Sequence, residues 1–248
     1  MALKEEFADQ GTWLFRWRSY LPLPLFPFAV VGLIVDDGIG ARFGERAEYA
    51  FIALCMVVSF SGFLIRCLTI GYVPKGTSRR STDEQIADTL NTTGMYSIVR
   101  HPLYLGNFLM FLGVFFFIQT WWFVLSATLV FFIYYERIMY AEEVFLERKH
   151  GNAFIQWAKQ TPAIVLRFRR WVPASLPFSL KNVLQREYAG FFGLVAAFTF
   201  FAAVQGLFRS GSFVPGPFWV VFFSIGVLLY LVLRVLRKKT NLLHVEGR

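Results

Sequence analysis

The sequence predicts an all-α fold: a polytopic integral membrane bundle of about six transmembrane helices. Three observations predict it. Of 248 residues, 56% are hydrophobic and only 17% charged, against roughly a quarter charged in a typical soluble domain. The apolar residues, 30 phenylalanines among them, gather into long runs, and mean hydropathy is +0.50. Basic residues cluster in alternate connections between those runs.

A helix that crosses the hydrocarbon core needs about 20 apolar residues. The first run, 19–35, is short and carries Pro22, Pro24 and Pro27. The residues leading into it, Trp13 to Tyr20, mix Trp and Arg as an interfacial anchor does. The second run is 49–70. The third and fourth, 102–118 and 121–138, are separated only by Gln119 and Thr120 and predict a tight helical hairpin at 102–138. The fifth and sixth are 188–208 and 217–236. The N-terminus is mixed in charge and lacks a signal-peptide pattern, so the first run reads as a retained anchor. No internal repeat is present.

The connection 71–100 carries Lys75, Arg79, Arg80 and Arg100. The connection 139–187 carries Arg148, Lys149, Lys159, Arg167, Arg169, Arg170, Lys181 and Arg186, and the C-terminus carries Arg237, Lys238, Lys239 and Arg248. The other side holds Arg42, Arg46 and Arg209, offset by Asp36, Asp37, Glu45 and Glu48. The positive-inside rule places both termini and both long loops in the cytoplasm. The net charge of +9 then serves orientation and contact with anionic lipids. No nucleic-acid partner is expected, because no basic-aromatic platform lies outside the hydrophobic segments. Residues 161–181 alternate Arg with Trp, Phe and Leu, a pattern that suits the headgroup region.

Other chemistries find little support. Cys55 and Cys67, twelve residues apart in one helical run, lie about 18 Å from each other and do not form a disulfide. His101, His150 and His244 show no metal-ligand spacing with them, so no metal is expected. Gly38-Ile39-Gly40 is a partial phosphate-loop match that reads as a turn, and no nucleophile elbow occurs.

Charges beside membrane helices are costly and often functional. They concentrate at Arg100-His101-Pro102-Leu103-Tyr104-Leu105-Gly106-Asn107. Pro102 suits a first helical turn. His101, Tyr104 and Asn107 recur every three residues and share a face. Gly106 lets a backbone or ligand come close. Two readings of Arg100 and His101 stand side by side: topology charge and helix cap, or a ligand-binding edge. Further along, Tyr135, Met139, Glu142 and Leu146 form an apolar stripe, and Glu136, Tyr140, Glu143 and Glu147 a wetter one, so Glu142 is expected to face the interior. A carboxylate there needs a partner, either Arg100 or a ligand. Gly151 is the expected stop.

The motif at 100–106, the hairpin, Glu142-Glu143-x-x-Leu146 and the following Gly151-x-x-Phe154-x-x-Trp157-x-x-x-Thr161-Pro162 resemble the isoprenylcysteine carboxyl methyltransferase and phospholipid methyltransferase superfamily over about residues 90–166. The family often has Tyr where Phe154 and Trp157 stand, and Pro at the position of Leu166. Hydropathy predicts a single membrane domain over 1–248, and the resemblance marks a methyltransferase core (90–166) within it, between N-terminal helices with a polar loop (1–89) and an interfacial loop with a C-terminal helix pair (167–248) that exceeds the family core. The resemblance also implies S-adenosylmethionine as cofactor, bound by His101, Pro102, Tyr104, Leu105, Gly106, Glu142 and Glu143. Arg100 and His101 would hold an anionic acceptor, a lipid or lipidated molecule from the bilayer. The stretch from 76–78 through Asn91-Thr92-Thr93-Gly94 is similar to bacterial relatives that methylate the phosphate of lipid A, which would place the protein in a bacterial inner membrane. Prenylcysteine carboxylate and phosphatidylethanolamine nitrogen stay open as acceptors. Membrane sterol-type reductases, which use NADPH, have a comparable segment but commonly an acid where this chain has Asn107.

Overall fold

Helix length follows from the uninterrupted apolar runs and from where glycine and proline end them. In the computed structural model, residues 2–18, 20, 23–36, 38–74 and 89–245 are described. Pro22, Asp37, Lys75, Arg79, Arg80, Arg248 and residues 76–78 lie outside them. Four described helices are long and apolar enough to cross a membrane: α4 (Glu45–Tyr72), α7 (Trp121–His150), α9 (Leu180–Ser210) and α10 (Pro217–Lys239). Two shorter apolar helices complete the bundle, α2 (Leu25–Val35) and α6 (Pro102–Phe117). The remaining helices are α1 (Leu3–Trp17), α3 (Gly38–Phe43), α5 (Met95–Ile98) and α8 (Asn152–Gln160). No strand occurs among the described residues.

The first run differs from expectation. Only 11 residues, Leu25–Val35, are helical, about 16 Å of rise, because the prolines delay the start until Pro24 takes the N-cap. Residues Leu3–Trp17 form a separate helix, α1, that docks on α7. Gly11 makes this possible: a β-carbon there would collide with the Arg137 carbonyl. Phe7 packs edge-on against Tyr140, and the Arg137 guanidinium lies 3.3 Å from the Phe7 ring centre.

The predicted hairpin is present as α6 and α7, joined at 118–120 with Gln119 at φ 64°. Thirty residues make α7 about 45 Å long, beyond the roughly 30 Å of hydrocarbon. Its far end therefore extends beyond a hydrocarbon core of that thickness and carries Glu142 and Glu143. Gly151, at φ 55°, ends it as expected.

Small residues set the α4–α6 crossing, as is common where helices pack without water to drive them together. A β-carbon on Gly62 would meet the Gly106 carbonyl, and one on Gly113 would meet the Cys55 carbonyl and Ser59. Cys55 and Cys67 are both free thiols. Ser59 donates its hydroxyl to the Met110 carbonyl at 2.8 Å. The C-terminal pair packs through Gly226 against Val195, and Phe192 against Tyr230 at 4.8 Å between ring centres.

Candidate active site

The start of α6 is built by the chain on both sides of the hairpin. Pro102 opens the helix and His101 is its N-cap. The segment after α8 runs beside 94–101 and fixes it through backbone bonds: Arg100 N–H to the Pro162 carbonyl at 2.8 Å, His101 N–H to the Ala163 carbonyl at 3.2 Å, and Arg167 N–H to the Ile98 carbonyl at 3.0 Å. The Trp157 indole donates to the Tyr96 carbonyl at 3.1 Å, and Phe154 is buried beside it. Leu166 packs against Met95, Ile98 and Val99, closing this end with an apolar contact.

Arg100, His101 and the two glutamates meet. His101 Nε2–H donates to Glu143 Oε1 at 2.8 Å, and His101 Nδ1 lies 3.7 Å from Glu142 Oε2. Arg100 Nε lies 3.2 Å from Glu143 Oε1 in an ion pair without hydrogen-bond geometry, while its Nη1 donates to the Ala158 carbonyl at 3.3 Å. Glu142 faces the bundle interior as expected, lining a cavity. Glu143, placed on the wetter stripe, is the less exposed side chain, 26% against 34% for Glu142, and it takes the pairing with Arg100.

A cavity of about 660 Å³ opens beside this cluster, within the usual range of small-molecule sites. Arg100, His101, Pro102, Tyr104, Glu142 and Trp157 line its polar rim. Tyr104 stacks on His101 with 5.7 Å between ring centres. Phe115, Ile118, Phe123 and Phe201 line its far end. Leu105 and Gly106 stand elsewhere. Leu105 faces a small cleft with Phe108, Phe131 and Ile164. Gly106 packs on the Arg66 side chain and the Gly62 carbonyl, so its close approach is to another helix.

Two lining residues escaped the sequence reading, Arg66 and Glu187. They form a forked ion pair, with Arg66 Nε and Nη2 each 2.8 Å from a Glu187 oxygen. Arg66 Nη1 also donates to Asn107 Oδ1 at 2.7 Å, and the Asn107 amide reaches the Tyr135 hydroxyl at 3.1 Å. The available signal was Arg66 itself, the single charged residue within the apolar run 49–70.

Residues 50–153 match the family model described as phospholipid methyltransferase. The matched segment holds the hairpin, the 100–106 motif and both glutamates. It is consistent with the isoprenylcysteine and phospholipid methyltransferase superfamily that the motifs resemble. No curated protein and no solved structure matches the chain. α9 and α10 lie beyond the matched segment, yet α9 contributes Glu187 and the Gly190–Gly193 face to the cavity wall.

Proposed function

We propose that this protein transfers a methyl group from S-adenosylmethionine to an anionic lipid acceptor, best a lipid phosphate such as that of lipid A. One observation carries the reading: a single cavity joins a charged, aromatic rim to an apolar depth within the bundle. The rim suits the cofactor by its chemistry. Glu142 offers a carboxylate to an amino group or ribose hydroxyls, and Tyr96, Tyr104 and Trp157 offer rings to a cation. The apolar depth suits a hydrocarbon tail.

When bound, the cofactor supplies an already electrophilic methyl on a sulfonium. Attack by an anionic acceptor oxygen would form an oxygen–carbon bond as the carbon–sulfur bond breaks, with the electron pair left on sulfur in S-adenosylhomocysteine. An ionised oxygen needs no general base. The protein's work is orientation and exclusion of water. Arg100 and His101 hold the acceptor's anionic group at the rim, and Glu142 holds the cofactor. Glu143 fixes Arg100 and His101. The exposed Arg167, Arg169 and Arg170 beside Phe168 and Trp171 rest on anionic headgroups.

Calorimetry on detergent-purified protein tests the first step. S-adenosylhomocysteine should bind, and Glu142→Ala should lose that binding. Binding of NADPH alone would point to a reductase. Binding of neither by folded protein would remove both readings. A methyl-transfer screen over lipid A, prenylcysteine and phosphatidylethanolamine then selects the acceptor.

A further inference from the structure

The Arg66–Glu187 pair is expensive where it sits. Arg66 lies six residues inside the end of α4, Asn107 six residues from His101, and Glu187 seven residues from Leu180. The spacings correspond to about 9–10.5 Å of helix, so three helices place the pair at one level below the rim. Glu187 is 1% exposed. A buried ion pair of this kind contributes little net stability over apolar residues of similar size, and ionisable groups within membrane helices usually face a cavity or a partner.

The pair does face the cavity, and its donors are not used up. A guanidinium has five N–H groups. Three bonds to Glu187 and Asn107 occupy three of them. The other two, one on each Nη, have no partner among the described residues, and Arg66 lines the cavity between its polar rim and its apolar end. Glu187 and Asn107 hold the guanidinium plane in place, so a ligand oxygen would meet a donor already oriented.

We propose that Arg66, held by Glu187 and Asn107, is an anion-binding residue for a lipid: it takes a phosphate or carboxylate oxygen of the headgroup, about one and a half helical turns deeper than His101. The inference rests on the cavity being the acceptor site. The apolar end beyond Arg66 favours a lipid over a free anion, because a tail fills the space that phosphate alone leaves empty. Such a lipid carries an anionic group near its tails as well as the reacting group at its head. α9 thereby becomes part of acceptor selection through Glu187.

The test is binding of dioctanoyl phosphatidic acid, dioctanoylglycerol and inorganic phosphate to the full-length protein in detergent, by calorimetry without cofactor. The wild type should prefer phosphatidic acid over the diacylglycerol by about tenfold or more. The double variant Arg66→Gln/Glu187→Gln, which keeps volume and hydrogen bonding without charge, should lose that preference. Arg66→Lys keeps the pairing charge but removes the fork; it should also lose most of the preference, and it decides the matter if the double variant does not fold. Equal affinity for the two lipids in the wild type would overturn the proposal, as would a preference that survives in folded Arg66→Lys. Inorganic phosphate binding as tightly as phosphatidic acid would overturn the lipid assignment. S-adenosylhomocysteine binding, measured on the same samples, reports separately on the methyltransferase reading.

Discussion

Neighbouring side chains on a helix point about 100° apart, and α7 exploits that angle at Glu142 and Glu143. Glu142 lines the cavity, while Glu143 reaches back to His101 and Arg100. Their roles should therefore separate. Glu142→Gln should weaken S-adenosylhomocysteine binding by about tenfold, the scale of one charge-assisted hydrogen bond. Glu143→Gln should leave that affinity within about threefold and lower kcat for methyl transfer about ten- to a hundredfold, because the groups it orients act on the acceptor. Calorimetry paired with steady-state kinetics checks both, and the opposite pattern would exchange the two roles. The sequence carried the pair and the inward side of Glu142, but not the pairing of Glu143 with Arg100. Helical spacing put Glu142 inside and Glu143 on a wetter stripe, and it held no information on the reach of His101 and Arg100 to Glu143. Arg66 and Glu187 were harder still. They lie 121 residues apart, so nothing local joins them, and only the isolation of Arg66 in an apolar run hinted at a buried partner.

Elements were legible where the chain punctuates itself. The 118–120 turn and Gly151 bound α7 as the sequence indicates. The first run was less legible, since prolines mark where a helix cannot continue but not where the preceding residues go. They form α1, which docks on α7 through Gly11, and Phe15 and Arg18 at its end reach the cavity. Gly11→Val would force a branched side chain against the Arg137 carbonyl. Overpacking of this kind costs about 1–3 kcal/mol, comparable to what holds a single docked helix. In the variant, α1 should detach, and limited proteolysis should cut between α1 and α2 faster than in the wild type, with the transmembrane core unchanged. An unaltered cleavage rate would mean that α1 is held by other contacts. The same logic applies at Gly113, where Gly113→Leu should lower the thermal midpoint in detergent by separating α4 from α6.

For the whole molecule, the two ends of the bundle differ in charge as the sequence does, and the structure shows which segments share an end. Ile39 N–H donates to Gln119 Oε1 at 2.6 Å, Thr120 donates to the Gly32 carbonyl at 2.8 Å, and Arg209 pairs with Glu48. These bonds gather α3, the hairpin turn and the α9–α10 link at one end, where acids offset the bases. Arg100, Arg148, Lys149, Lys159, Arg167, Arg169 and Arg170 gather at the other, where they outnumber Glu142, Glu143 and Glu147. That end also holds the cavity rim, so orientation decides which compartment supplies the cofactor. The basic end should face the cytoplasm, where S-adenosylmethionine would reach the rim from water while the acceptor comes from the lipid. Cysteine labelling in right-side-out cells tests this. With Cys55 and Cys67 replaced by alanine, Ser212→Cys, in the α9–α10 link, should react with a membrane-impermeant maleimide from outside. Ser175→Cys, between α8 and α9, should react only after the membrane is opened. The reverse pattern would turn the basic rim outward, away from any cytoplasmic methyl donor, and a cytoplasmic source of S-adenosylmethionine would no longer fit the site.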